Sequence, residues 1–186
     1  MVKIIGLTGS IGAGKDVVSK YLVSNYGYKQ VTVGDVVREA MKEKGMEITR
    51  ENSDSFSQEM RDKYGATYWI GQCIKKVIDE KYEKAIIEAI RLPSDDEAVK
   101  KVFGKNYILF KVDAQPMIRF QRLQSRGRAD LPKDVAQFES QEKTQNEMFK
   151  LDVTFKSANA VIDNSSTLEN VYKNTDEVMK KFKDWA

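Results

Sequence analysis

Histidine is absent from this chain of 186 residues, and cysteine occurs once, at Cys73. The first absence removes Ser-His-Asp and Cys-His nucleophilic mechanisms and any histidine-ligated metal. The second removes intrachain disulfides and cysteine metal clusters. Cys73 itself reads as a small buried hydrophobe on a helix. No apolar run approaches the ~20 residues needed to cross a bilayer. The N-terminal apolar stretch is too short, and too interrupted by glycine, to be a secretory signal. An excess of charge is also lacking: 31 basic and 28 acidic residues leave a net +3. That balance gives no argument for a nucleic acid or a membrane surface as partner, and a cytoplasmic protein is expected. With 41% hydrophobic and 32% charged residues, the composition is that of a soluble globular enzyme. The length suggests one domain over residues 1–186, free of repeats and interdomain linkers.

What is present begins at the N-terminus. The apolar run Ile4-Ile5-Gly6-Leu7 leads into Gly9-Ser10-Ile11-Gly12-Ala13-Gly14-Lys15. A strand, a G-x-x-x-x-G-K loop and an amphipathic helix (Val17, Val18, Tyr21, Leu22) make a P-loop. Its glycines let backbone N–H groups turn inward around a phosphate, and the helix directs its dipole at the same anion. Lys15 adds an ammonium for the outer phosphates of a nucleoside triphosphate. The position after the lysine, commonly Ser or Thr for Mg²⁺, holds Asp16. Two readings stay open: Asp16 holds Mg²⁺ directly or through water, or it only favours the helix N-terminus.

Short apolar strands then alternate with helical patterns, the signature of a parallel sheet with helices on its faces. The strands are expected at Lys3–Thr8, Lys29–Val33, Ala85–Ile90, Tyr107–Val112 and Ala160–Ile162. The first helix is expected over Asp16–Asn25 with Gly27 as its stop. About fifty helical residues, 34–84, broken at Gly45 and Gly65, form an insertion too long for a simple crossover. Ser94-Asp95-Asp96-Glu97 and Ser166-Thr167-Leu168-Glu169 read as capping boxes, and Pro116 as the first turn of a helix ending near Arg126-Gly127.

Three further groups of residues bear on chemistry. In Val33-Gly34-Asp35-Val36-Val37-Arg38, Asp35 is placed to cap a helix and Arg38 to project beyond the strand ends, where α/β proteins bind ligands. A guanidinium there suits a phosphate; a solvated surface arginine is the alternative. Glu88 is an acid in an apolar strand, a costly placement without a cation; it reads as part of a Mg²⁺ shell or as a partner for a lysine. Arg91 leaves the same strand toward the cleft. Arg119, Arg122, Arg126 and Arg128 cluster, the first three on one helix face. They call either for an anionic partner such as a triphosphate, or for acids of the following stretch, 127–150, which reads as a lid. Tyr64, Tyr68 and Trp69 either stack on a base or pack in a core.

Together these segments resemble the P-loop nucleoside-monophosphate kinase group over nearly the whole chain. Gly34-Asp35-Val36-Val37-Arg38 resembles the acceptor-phosphate segment of adenylate kinases, which implies acceptor binding by Asp35 and Arg38. Glu88-Ala89-Ile90-Arg91 resembles the Asp-Gly-x-Arg element of adenylate-kinase-related and dephospho-CoA-kinase-like proteins, with Glu for Asp and Ala for Gly. Arg122 and Arg126 resemble lid-hinge arginines that touch the donor nucleotide. Val161-Ile162-Asp163-Asn164-Ser165 resembles the segment that lies against the donor base in dephospho-CoA kinases. Arg91-Leu92-Pro93 and the Gly-Lys-Asp ending are similar to phage-type deoxynucleoside-monophosphate kinases. The resemblance implies an α/β fold: a P-loop NTPase three-layer α/β/α structure with a five-stranded parallel sheet in the order 2-3-1-4-5, a helical acceptor-binding insertion and a short helical lid. It implies ATP and Mg²⁺ as cofactors. Residues 9–16, Arg122 and Asn164 would bind the donor, and Asp16 and Glu88 the metal. Asp35, Arg38, Arg91 and Arg128 would bind the acceptor, with Lys15, Glu88, Arg91 and Arg126 at the chemistry. The expected activity is phosphoryl transfer to a small nucleotide-type acceptor, by a monomer or homodimer with neither nucleic acid nor membrane as partner. A dephospho-CoA kinase and a nucleotide-binding regulator with little catalysis are the alternatives.

Overall fold

The computed structural model describes residues 2–125 and 132–186. Five parallel strands, β1 (Lys3–Thr8), β2 (Lys29–Thr32), β3 (Lys84–Glu88), β4 (Tyr107–Asp113) and β5 (Ala160–Asp163), form one sheet in the order 2-3-1-4-5. This is the expected order. The central strand β1 is covered on both faces, which is why its sequence is an almost unbroken apolar run; Ile4, Ile5 and Leu7 are fully buried.

Alternation along the strands divides the core in two. Ile4, Val31, Ala85, Ile87 and Leu109 face a layer built by α2 (Val33–Glu43), α3 (Arg50–Tyr64), α4 (Tyr68–Asp79) and α5 (Pro93–Phe103). Ile5, Leu7, Ile86, Phe110, Val112 and Ile162 face α1 (Lys15–Tyr26) and α9 (Leu168–Lys181). A small third cluster, Phe120, Leu123 and Phe138 with Ile11 against it, joins α6 (Pro116–Ser125) and α7 (Val135–Phe149) to the P-loop. The short α8 (Leu151–Lys156) leads back to β5. None of the described helices is long and apolar enough to cross a membrane.

The helix ends differ from the sequence expectation in an instructive way. Gly27 does close α1 in the left-handed conformation. Asp35, however, does not cap α2: the helix begins at Val33, and the Thr32 hydroxyl accepts from the Asp35 N–H. At α5 the N-cap position is Leu92, with Pro93 opening the helix. Leucine has no oxygen to offer, so the Asp95 carboxylate reaches back to accept from the Leu92 and Arg91 N–H groups. At α9 the cap is Thr167, whose hydroxyl accepts from the Asn170 N–H.

Candidate functional site

The loop between β1 and α1 is held by its neighbours. Gly9 has φ +144°, and a Cβ there would stand 2.2 Å from the Val112 carbonyl oxygen, so no other residue fits. Gly14, the N-cap of α1, has φ +84° and lies against Asn164: a Cβ would stand 2.2 Å from Nδ2. Asn164 follows β5, is buried, and donates to the Ala13 carbonyl at 2.8 Å. The Val17 N–H donates to the Gly14 carbonyl at 3.0 Å, and the amides ahead of it, with the helix dipole, form an anion site. Lys15 Nζ folds back to donate to the Gly9 and Ser10 carbonyls at 2.7 and 3.1 Å. Ser10 and Ile11 complete the curve of the loop, while Gly12 and Ala13 are buried in it.

Two arginines of α6 meet this loop, and the structure separates their roles. Arg122 donates from Nη2 to the Asn164 backbone oxygen at 2.8 Å. Its Nη1 is buried without a hydrogen-bond partner among the described residues and lies 3.7 Å from the Cβ position of Gly14. A buried, unmatched donor at the mouth of an anion cradle fits a phosphate oxygen. Arg119 is committed elsewhere. It is 6% exposed, pairs with Glu142 of α7, donates to Ala114 O at 2.9 Å and sits over the Phe138 ring. Of the two readings left open for the α6 arginines, Arg119 takes the second: its anion is Glu142, an acid of the stretch that follows. Arg126 and Arg128 lie outside the described residues.

Across the sheet top lies a cavity of about 1170 Å³ walled by the ends of β2 and β3, by α2, α3 and α4, and by the end of α7. Its apolar floor includes Val37, Trp69, Ile70 and Phe149, and Arg38, Arg61 and Arg91 line it. The Ile90 N–H donates to Leu7 O, so the rim carrying Glu88 and Arg91 is fastened beside the strand that feeds the P-loop. Arg38 pairs with Asp35, which also accepts from the Thr32 hydroxyl. Arg91 packs over the Phe149 ring. Burial pushes the Arg91 guanidinium below its ordinary pKa, the nearby positive Arg61 adds to this, and Asp95 opposes it. Arg61, half-buried on α3, was not anticipated from the sequence; only the folded insertion brings it to Arg91, and a polar helix offers no sign of that.

Ala89, where the resembled element has glycine, sits at φ +65°, so the backbone keeps the left-handed turn that glycine would take freely. Trp69 is buried and donates to Ser57 O, and Tyr64 stacks on Tyr68. Trp69 thus belongs to the core while one side of it reaches the cavity.

Glu88 accepts from Gln30 at 2.8 Å, a partner other than the lysine considered from sequence. By strand alternation it shares with Ile86 the face covered by α1, and Asp16 is exposed in the first turn of that helix. No group of three or more His, Cys, Asp or Glu gathers into a metal cage among the described residues. Asp16 and Glu88 carry hard carboxylate oxygens, the donor type that Mg²⁺ takes beside phosphate and water.

A P-loop at the head of a five-stranded parallel sheet in this order, with a helical pocket opposite, defines a P-loop NTPase of kinase-like fold. A family model described as AAA domain matches residues 5–150, and the chain belongs to that family. More particularly, it belongs among the UPF0200 proteins. It is 30% identical over 183 residues to the UPF0200 protein of Methanocaldococcus jannaschii, covering 96% of this chain and 89% of that one. It is 33% identical over 142 residues to that of Thermococcus sibiricus, covering 75% and 74%. Among solved structures, a shikimate kinase from Acinetobacter baumannii in complex with shikimate superposes with TM-score 0.62 at 13% identity, covering 99% and 94% of the chains. A gluconokinase from Sinorhizobium meliloti gives TM-score 0.56 at 12% identity, covering 98% and 96%. At such identity the likeness is one of fold.

Proposed function

We propose that this protein is an ATP-dependent phosphotransferase whose acceptor is a small, phosphorylated, nucleotide-type molecule. The observation that carries the reading is the pairing of two anion sites across one sheet top: the loop of residues 9–15 with Arg122 beside it, and the cavity lined by Arg38, Arg61 and Arg91. The apolar floor with Trp69 suits a flat base, and the guanidinium groups suit its phosphate.

In this scheme Lys15 exchanges the Gly9 and Ser10 carbonyls for the outer phosphates of ATP. Mg²⁺, held in part by Asp16 and Glu88, would neutralise charge on those phosphates. An acceptor oxygen attacks Pγ. The new O–Pγ bond forms as the bond from Pγ to the β,γ-bridging oxygen breaks, and ADP leaves with that electron pair. A phosphate dianion carries no proton on the attacking oxygen, so catalysis rests on positioning and on cations around the moving group. Arg126 and Arg128 are proposed as further cations for it.

The cavity is open on one side and leaves room for an acceptor longer than a nucleoside monophosphate, with dephospho-CoA as the second candidate. There the attacking atom is a hydroxyl, and Asp35 or Glu88 would take its proton. A coupled ADP-release assay across ribo- and deoxyribonucleoside monophosphates and dephospho-CoA, with Mg·ATP or Mg·GTP as donor, tests the proposal. Turnover with one such acceptor supports it. Tight Mg·ATP binding with no acceptor-stimulated ADP release favours a regulatory P-loop protein instead.

A further inference from the structure

We propose that Arg61 of α3 and Arg91 beyond β3 act together as the clamp for a doubly charged phosphoryl group on the acceptor, which makes Arg61 a specificity-determining residue. The inference rests on the phosphotransferase reading and deepens it.

Both guanidinium groups line one cavity, and neither has a side-chain hydrogen bond or ion pair among the described residues. The third arginine there, Arg38, already has Asp35. The carboxylates that share the cavity wall are engaged with other groups. Glu88 accepts from Gln30, and Asp95 accepts from the Arg91 and Leu92 amides. Asp54 stands two turns before Arg61 on α3 and has an interaction of its own. Asp95 lies in the field of both guanidinium groups and offsets part of their repulsion, but one carboxylate already bonded to two amides does not balance two cations in a partly desolvated pocket, and a further anion relieves the remainder. Burial first, and Arg61 after it, push the Arg91 guanidinium below its usual pKa, with Asp95 opposing. A singly charged carboxylate would answer one guanidinium. A phosphomonoester dianion offers three oxygens and two charges, enough for bidentate bonds to both. The Phe149 ring under Arg91 fixes the plane of one fork. Position on α3 adds a consequence: binding the dianion ties the helical insertion to the strand end that carries Arg91.

The test is steady-state kinetics on the wild type, Arg61→Gln and Arg61→Lys at saturating Mg·ATP. The acceptors are AMP, GMP, CMP, UMP, dTMP and dephospho-CoA, with shikimate and gluconate as carboxylate comparisons. Transfer is expected only to the nucleoside monophosphates, which carry a dianionic phosphoryl group; preferred turnover of dephospho-CoA, whose two linked phosphates carry one charge each, overturns the clamp. Arg61→Gln is expected to raise the acceptor KM about tenfold or more, as for loss of a charge-assisted hydrogen-bond pair. The KM for ATP should stay unchanged, and Arg61→Lys should recover part of the loss. Circular dichroism confirms that the variants fold. An acceptor KM in Arg61→Gln within twofold of wild type overturns the clamp while leaving the phosphotransferase reading intact. So does preferred turnover of a carboxylate acceptor. If Mg·ATP binds but no acceptor is turned over, the phosphorylated panel is titrated into protein saturated with Mg·ADP; binding absent, or indifferent to Arg61→Gln, overturns the clamp as well. Failure of Mg·ATP itself to bind strikes the phosphotransferase reading, and the clamp falls with it.

Discussion

Removing Glu142 should destabilise the protein and loosen the P-loop at once. Arg119 is 6% exposed, and its guanidinium faces four neighbours: Glu142, the Ala114 carbonyl at 2.9 Å, the Ile11 carbonyl at 3.5 Å, and the Phe138 ring at 5.3 Å. Glu142→Ala leaves the cation in place without its anion. Breaking a fully buried pair costs about 3–5 kcal/mol. The Glu142 side chain is 24% accessible, so water recovers part of this, and about 2–3 kcal/mol is expected. For a chain of this length that lowers Tm by roughly 4–12 °C. Thermal and urea unfolding followed by circular dichroism read the stability, and calorimetry reads the nucleotide. Affinity for Mg·ATP should fall as well, because Arg119 also braces the loop through Ile11. The double variant Arg119→Met/Glu142→Leu should regain most of the stability, since an apolar pair can pack on Phe138. A Glu142→Ala variant within 0.5 kcal/mol of wild type, a margin typical of neutral surface changes, would refute the reasoning.

Asn164→Ala removes the bond to Ala13 O and leaves Arg122 short of an acceptor; Mg·ATP affinity should drop about tenfold or more, and unchanged affinity by calorimetry would count against the brace. Cys73 is fully buried, with burial pushing its thiol up to about 12. It should resist a thiol reagent at pH 8 in the native protein and react on unfolding. Because the folded pKa is raised, stability should be whole below pH 9, the thiol's ordinary value, and decline as pH rises toward 12; rapid native labelling would contradict this. Burial also raises the Asp95 carboxyl above its usual range, against the pull of the Leu92 and Arg91 amides and the two arginines. A raised acid favours folding most below the ordinary carboxylate pKa, and loses that contribution as pH climbs through the folded value. Asp95→Asn should therefore gain on wild type as pH rises from acid to neutral in urea melts; a difference independent of pH would refute the direction.

The parts of the fold that the sequence made legible are those governed by local rules. β1 and β3 are buried on both faces and read as continuous apolar runs, and Gly27 marked a left-handed stop for α1. The P-loop is a single contiguous segment, so its chemistry needs no tertiary information. Helix starts were less legible where the cap comes from outside the usual signature. Asp95 replaces a missing oxygen at Leu92, and Thr32 belongs to a strand until its hydroxyl turns to Asp35. Contacts between distant segments were illegible. Nothing local distinguishes Arg119, tied to Glu142, from Arg122, left with an open nitrogen at the loop. Arg61 and Arg91 lie thirty residues apart, and only the packing of α3 against α2 and α4 brings them to one cavity.

The central claim is that the amides of residues 9–15, with Lys15 and Arg122, hold the phosphates of a nucleoside triphosphate. Isothermal calorimetry of Mg·ATP and Mg·GTP into the folded wild type and Lys15→Ala tests it most directly. The account predicts saturable one-to-one heat for at least one nucleotide, abolished or weakened about a hundredfold in Lys15→Ala, as for loss of a charged contact. Wild-type protein of native circular dichroism that gives no heat with either nucleotide, or a Lys15→Ala titration indistinguishable from wild type, would contradict it.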